Sequence, residues 1–301
     1  MHAHSAPQIP EDFQFLQFDA QRVGAEVPEV VRVSVSGPEG RNLSALRYGD
    51  APAELVCLHG AGLNAHSFDP MVFAAAVPAV ALDLPGHGHS QWRDDAVYTP
   101  ETMVDDVAAG IRAWSAPPVT VLGHSLGGLT AMLLAERYPE LVSSLIIVDI
   151  TPEATQSESA ATVLEFISGK RSFASREEMV DRAVDFGIGG DREALLRGVT
   201  LNSVQREDGR YQWIHHLAHL AHLTAPEGSD DQAARSYWPE IDTPMTFVRA
   251  SDGMVTAADT EKWCEKYPQT KVLELNGPHN LHEARPKELA AVVTAHLHGV
   301  Q

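Results

Sequence analysis

The segment Gly123-His124-Ser125-Leu126-Gly127 sets a hydroxyl between two residues without side chains. A continuous apolar run, 119–122, leads into it, and Leu129, Met132, Leu133 and Leu134 follow on helical spacing. A serine at such a strand-to-helix junction has two readings. Glycine and serine are ordinary turn residues, and the turn could be only that. Alternatively the turn is tight enough to strain the serine backbone and expose its Oγ, with the helix N-terminus behind it favouring developing negative charge. The second reading needs partners elsewhere in the chain.

A serine hydroxyl is a weak nucleophile at neutral pH and needs a base, which in turn needs a group to fix its tautomer. For an elbow of this kind the expected chain order is serine, acid, histidine. "MTFVRASDGMVT" supplies Asp252 at the end of an apolar run, and "VLELNGPHNLHEARP" supplies His279 directly after a Gly-Pro turn, with His282 three residues on. His279 is the expected base. Asp252 is the expected acid, with a carboxylate oxygen in reach of His279 Nδ1, and Asp149 in "LIIVDITPE" is the runner-up. Asp149 also has a structural use, bonding the loop that leaves its strand. An oxyanion needs backbone N–H donors. Leu126, just after the serine, is one. The other is expected from "HGAGLNAHSF" (59–68), where Gly60 and Gly62 permit close approach; Ala61 is the choice and Gly62 the next.

The elements that must hold these residues are legible as short apolar runs. "VVRVSVS" (30–36) alternates with period two and reads as a strand, with 43–49 as its hairpin partner. Runs at 53–59, 79–83, 119–123, 145–150, 245–250 and 271–275 are continuous, and helical patterns at 100–115, 126–138, 256–267 and 284–298 lie between most of them. Strands alternating with helices imply an α/β fold, a mostly parallel sheet covered by helices on both faces. The long gap after 151 reads as a helical insertion. The expected organisation is an N-terminal extension over 1–26 (whose Phe13, Phe15 and Phe18 could pack back on the body), core over 27–151, a helical cap over 152–238, and core again over 239–301.

The set "LHGAGLNAHSF", "DLPGHGHS", "VLGHSLGG", "VRASD" and "NGPHNLHEARP" resembles the α/β-hydrolase superfamily, on its lidded, serine-nucleophile branch, over about residues 30–298. The resemblance implies hydrolysis of a carboxylic ester or related carbonyl compound through an acyl-enzyme. Lactonases, C–C bond hydrolases and cofactor-free haloperoxidases share the motifs, and a non-catalytic ligand-binding protein of this fold could keep them. Serine at the elbow disfavours the haloalkane dehalogenases and epoxide hydrolases of the fold, which use Asp there. The resemblance also makes "DLPGHGHS" (83–90) a structural loop, so His87 and His89 are assigned no chemistry. One departure is visible: the family usually has Gly-x-x-Asp around the acid, whereas Ala250-Ser251-Asp252-Gly253 is a residue out of step.

The insertion carries "DGRYQWIHHLAHLAHL" (208–223), and the resemblance places such a Gly-aromatic-x-Trp run near the active site. Trp213 and His215, with His66 and Phe68 from the oxyanion loop, are the expected pocket residues; plain cap-to-core packing is the alternative. His215, His219 and His222 fall at i, i+4 and i+7, which would make one helical stripe. No Asp or Glu shares it, so a polar face is expected rather than a metal site. No cofactor and no metal are called for.

Composition narrows the partners. The 301 residues are 44% hydrophobic and 21% charged, which suits one large domain. Acidic residues outnumber basic ones 41 to 22, a formal charge of −19 that repels phosphate backbones and anionic membranes. A small-molecule substrate is expected, with no nucleic acid and no membrane; oligomeric state is left open. The start of the chain lacks a basic, apolar leader pattern, and Cys57 and Cys264 form no disulfide framework, so a reducing cytoplasm is expected.

Overall fold

The computed structural model describes residues 11–188, 191–220 and 237–299. Eight strands form one sheet: β1 (Val30–Ser36), β2 (Asn42–Tyr48), β3 (Ala53–Leu58), β4 (Ala79–Asp83), β5 (Ser115–His124), β6 (Val142–Val148), β9 (Met245–Asp252) and β10 (Lys271–Pro278). Their order is β1-β2-β4-β3-β5-β6-β9-β10. β1 and β2 pair antiparallel, as do β2 and β4, and every other pairing is parallel. The central parallel strands β3, β5 and β6 are mostly apolar where both faces are covered, while β10 at the sheet edge carries exposed Lys271 and Glu274. Val56, Leu58, Val121 and Ile147 pack with α3 (Pro100–Trp114) and α4 (Leu126–Arg137) on one face. Leu55, Cys57, Leu122 and Val248 point to the other, against α2 (Asp69–Ala75) and α10 (Pro286–Leu297).

The N-terminal segment is more than a tail. It forms α1 (Leu16–Val23), which packs beside α2, and Phe13 sets its ring edge against His66 at 5.8 Å. Between β6 and β9 the chain leaves the sheet for α5 (Glu158–Ser168), α6 (Arg176–Asp185) and α7 (Arg192–Leu201). A small hairpin follows, β7 (Ser203–Gln205) with β8 (Tyr211–Trp213). The stretch expected to present a helical histidine stripe is therefore this strand and a single 3-10 turn, His216–His219. His215 and His219 take separate backbone partners: His215 Nδ1 accepts the Ala218 N–H at 3.2 Å, and His219 Nε2 donates to Trp213 O at 2.9 Å. His222 lies outside the described residues. The core closes with α8 (Ala257–Lys266), β10, α9 (Leu281–Ala284) and α10. Among the described residues no helix is long and apolar enough to cross a membrane.

Candidate active site

The carboxyl ends of the parallel strands meet under the insertion. Ser125 sits between β5 and α4 at φ 53°, ψ −123°, a backbone region that costs a side-chain-bearing residue of order 1–3 kcal/mol. The surrounding glycines make the turn possible. A Cβ on Gly123 would lie 2.5 Å from Gly127 O, and one on Gly127 would lie 2.2 Å from Leu58 O. The helix thus packs directly onto β3 and carries Ser125 to the wall of a cavity of about 770 Å³.

His279, just beyond β10, lines the same cavity. Its Nδ1 lies 2.8 Å from Asp149 Oδ2. The carboxylate also accepts the Ala250 N–H on Oδ1 at 2.9 Å and the Met254 N–H on Oδ2 at 2.8 Å. With Nδ1 donating to Asp149, a neutral His279 keeps its Nε2 lone pair free. No hydrogen bond joins that ring to Ser125 among the described contacts, and such bonds commonly tighten only with substrate in place.

The expectation that Asp252 would hold His279 is not met. β9 runs through Asp252, which pairs alongside Pro278 of β10, and its carboxylate is exposed at the cavity mouth, accepting from Ser251 Oγ. The chain then turns back over Asp149 at Gly253, where a Cβ would meet Asp149 Oδ2 at 2.0 Å. The out-of-step "SDG" is the wall of a socket for the β6 carboxylate. Gly253→Ala must displace Asp149 or the loop, and kcat is expected to fall by about 10², the scale of a 1 Å misplacement. A steady-state comparison with wild type measures it.

His282 cannot exchange roles with His279. It is fully buried between the Phe68 ring (4.8 Å) and the His124 ring (4.5 Å), with no hydrogen bond on either nitrogen among the described residues. His124, beside Ser125, contacts His279 O through Nε2 at 3.1 Å. On the facing loop, His59 Nε2 accepts the Leu84 N–H at 3.0 Å and its Nδ1 donates to Gly60 O at 2.8 Å. That fixes the start of 60–64. Among the described residues the N–H groups of Ala61, Gly62 and Leu126 donate to no protein acceptor.

Of the expected pocket residues, Trp213 and His215 line the cavity, and His66 and Phe68 do not. The chain folds back at the 3-10 turn Ala65–Phe68, which sends both side chains beneath the loop. Phe68 is buried against His282. His66 joins a buried charge network, accepting from Arg32 Nη2 at 3.1 Å and donating from Nδ1 to Asp69 Oδ2 at 2.8 Å.

Burial pushes the His215 and His282 imidazoles down to about 3, and holds His124 and His87 well below the ordinary range. The folded state refuses protons that the unfolded chain accepts near 6.5, so stability is complete above that pH and falls as pH drops toward about 3. At pH 5 the first two alone cost about 4 kcal/mol, at about 1.4 kcal/mol per unit each. Denaturant titrations at pH 7.5 and 5 check this, and equal stabilities would contradict it.

A sheet of this order, with a serine elbow after β5 and a histidine after the last strand, is the α/β-hydrolase arrangement. The chain belongs to the alpha/beta hydrolase family, which it matches over residues 55–292. Over 297 residues it is 33% identical to esterase Rv0045c of Mycobacterium tuberculosis, 94% of each chain being covered. A solved structure of that esterase has a TM-score of 0.81 to this fold at 31% identity, covering 97% of this chain and 100% of that one. Lipase LipV of the same organism is 26% identical over 266 residues, 85% of this chain and 98% of the lipase.

Proposed function

We propose that this enzyme hydrolyses carboxylic esters through an acyl-enzyme on Ser125. The observation that carries the reading is the Asp149–His279 pair at 2.8 Å on the same cavity as a serine held at positive φ. Ser125 Oγ attacks the ester carbonyl carbon while His279 Nε2 takes its proton. Asp149 keeps that nitrogen unprotonated beforehand and stabilises the imidazolium that forms. The N–H groups of Leu126 and Ala61 receive the oxyanion, with Gly62 next to them. His279 returns the proton to the departing alkoxide. It then activates a water, which attacks the acyl carbon and frees Ser125. None of these steps calls for a metal or cofactor.

The segment 152–238 acts as a cap. Val163, Phe166, Ile167, Leu195, Val199 and Trp213 give the cavity an apolar wall, suited to an acyl chain, and His215 closes it near Gly62. The likeness to esterase Rv0045c supports an ester over a C–C bond or a lactone. A fluorophosphonate probe is expected to label Ser125 alone, and aryl esters graded by chain length are expected to turn over while a vinylogous diketone does not. Labelling of another residue, or turnover of the diketone alone, would overturn the reading.

A further inference from the structure

Arg197 is a charged side chain only 3% exposed, on α7 of the insertion. Burying a guanidinium is costly unless every donor finds a partner, and an apolar residue at such a site is often neutral or better for stability. Its four partners come from three separate parts of the chain. Nε and Nη2 donate to Asp19 Oδ2 of α1 at 2.9 and 2.6 Å. Nη2 also donates to the backbone carbonyl of His66 at 2.7 Å and to Asp69 Oδ2 at 3.1 Å. Nη1 lies 3.9 Å from Glu283 Oε1 on α9.

Each contact leads toward the chemistry. The His66 carbonyl belongs to the turn that ends the 60–64 loop. Within it, Asn64 accepts the His66 N–H at 2.9 Å and donates to Leu201 O and Asn202 Oδ1 at the end of α7, both at 2.8 Å. Asp69 is held in turn by Tyr48 OH at 2.6 Å and His66 Nδ1 at 2.8 Å. Glu283 takes the Asn280 side-chain N–H at 3.1 Å, one residue from His279. One guanidinium therefore ties together the loop bearing Ala61, the loop bearing His279 and the wall of the cavity. Asp19, from a helix that precedes the family-matched residues 55–292, supplies its counter-charge.

We propose that Arg197, neutralised by Asp19, is a positioning residue that sets the separation of the Ala61 loop and the His279 loop beneath α7. This rests on the roles given above to Ala61 and His279. The N-terminal helix is then part of the catalytic scaffold.

The test separates positioning from stability. Arg197→Met should lower both the melting temperature and kcat, because it leaves the Asp19 carboxylate buried and unpaired. Adding Asp19→Asn removes that charge and should restore the melting temperature. It returns no donor to the His66 carbonyl, so kcat should stay about 10- to 100-fold down, with KM within about threefold. Fluorophosphonate labelling of Ser125 should slow in step. A smaller cavity change, Arg197→Lys, keeps a charge for Asp19 and should hold the fold with kcat at least about tenfold down, which covers the case of a double variant that does not fold. Methylguanidinium should partly restore kcat to Arg197→Ala. Recovery of kcat together with melting temperature in the double variant, or wild-type kcat in Arg197→Lys, would overturn the proposal. Failure of the underlying reading would look different, as wild-type protein whose Ser125 is not labelled at all.

Discussion

Ser125→Ala is expected to lower kcat by on the order of 10⁶, the loss seen when the nucleophile of a serine triad is removed. In the proposed reaction only Oγ forms the covalent bond, and the elbow geometry belongs to one position: φ 53° at Ser125, with Gly123 and Gly127 packed against neighbouring backbone. The variant should still bind substrate, since the cavity walls and the free N–H groups of Ala61 and Leu126 are untouched. It should also keep its fold. Alanine at the same φ carries the same strain as serine, so the melting temperature should hardly change. Ser125→Gly is expected to be equally inactive but more stable by about 1 kcal/mol, because glycine adopts this φ without a Cβ penalty. Single-turnover kinetics with thermal melts on both variants measure the two effects. An alanine variant with more than about a thousandth of wild-type kcat would remove Ser125 from the mechanism.

The second large effect is expected at Asp149. Asp149→Asn replaces an acceptor by an amide that can donate toward His279 Nδ1, and this favours the tautomer with the proton on Nε2, where the base must be free. The loss should be about 10⁴ in kcat. Stability should fall as well. Asp149 accepts the buried N–H groups of Ala250 and Met254, and an amide cannot satisfy both and His279. One unsatisfied buried donor costs about 1–3 kcal/mol. Asp252→Asn is the control. Its carboxylate is exposed and bound only by the neighbouring Ser251 hydroxyl among the described residues, so activity within about threefold of wild type and stability within about 0.5 kcal/mol are expected. The two variants assayed side by side decide the acid: a crippled Asp252→Asn beside an active Asp149→Asn would return the role to the later residue.

The features that the sequence determined by itself are those whose physics is local. The parallel sheet follows from continuous apolar runs that could only be buried on both faces, and the elbow from a strand, two glycines and a helix within a dozen residues. The position of His279 beside the cavity was legible for the same reason, since it stands after a Gly-Pro turn at the end of a strand signal. The organisation missed α1 and α2, where short helices abut loops and offer too few turns for a period. The helical spacing of histidines within 208–223 is a coincidence, because His215 caps the 3-10 turn and His219 is its last residue.

What only the tertiary structure decided is every choice between near-equal candidates. Asp149 and Asp252 both end strands, and nothing within five residues of either says which carboxylate faces His279. The register does: Asp149 leaves β6 where β9 is still pairing, at Val148 opposite Val248, so its side chain enters the core end of the sheet while β9 carries Asp252 four residues further, into solvent. Gly253 then leaves room for the inner carboxylate and none for a side chain of its own. His66 and Phe68 lie within eight residues of Gly60, yet one 3-10 turn sends them beneath the loop, and that turn is held by Asp83, Asn64 and Arg197, the last of them 131 residues away. Contacts between residues so distant leave no period or spacing in the chain, because they are specified by packing and by where buried charges find their partners.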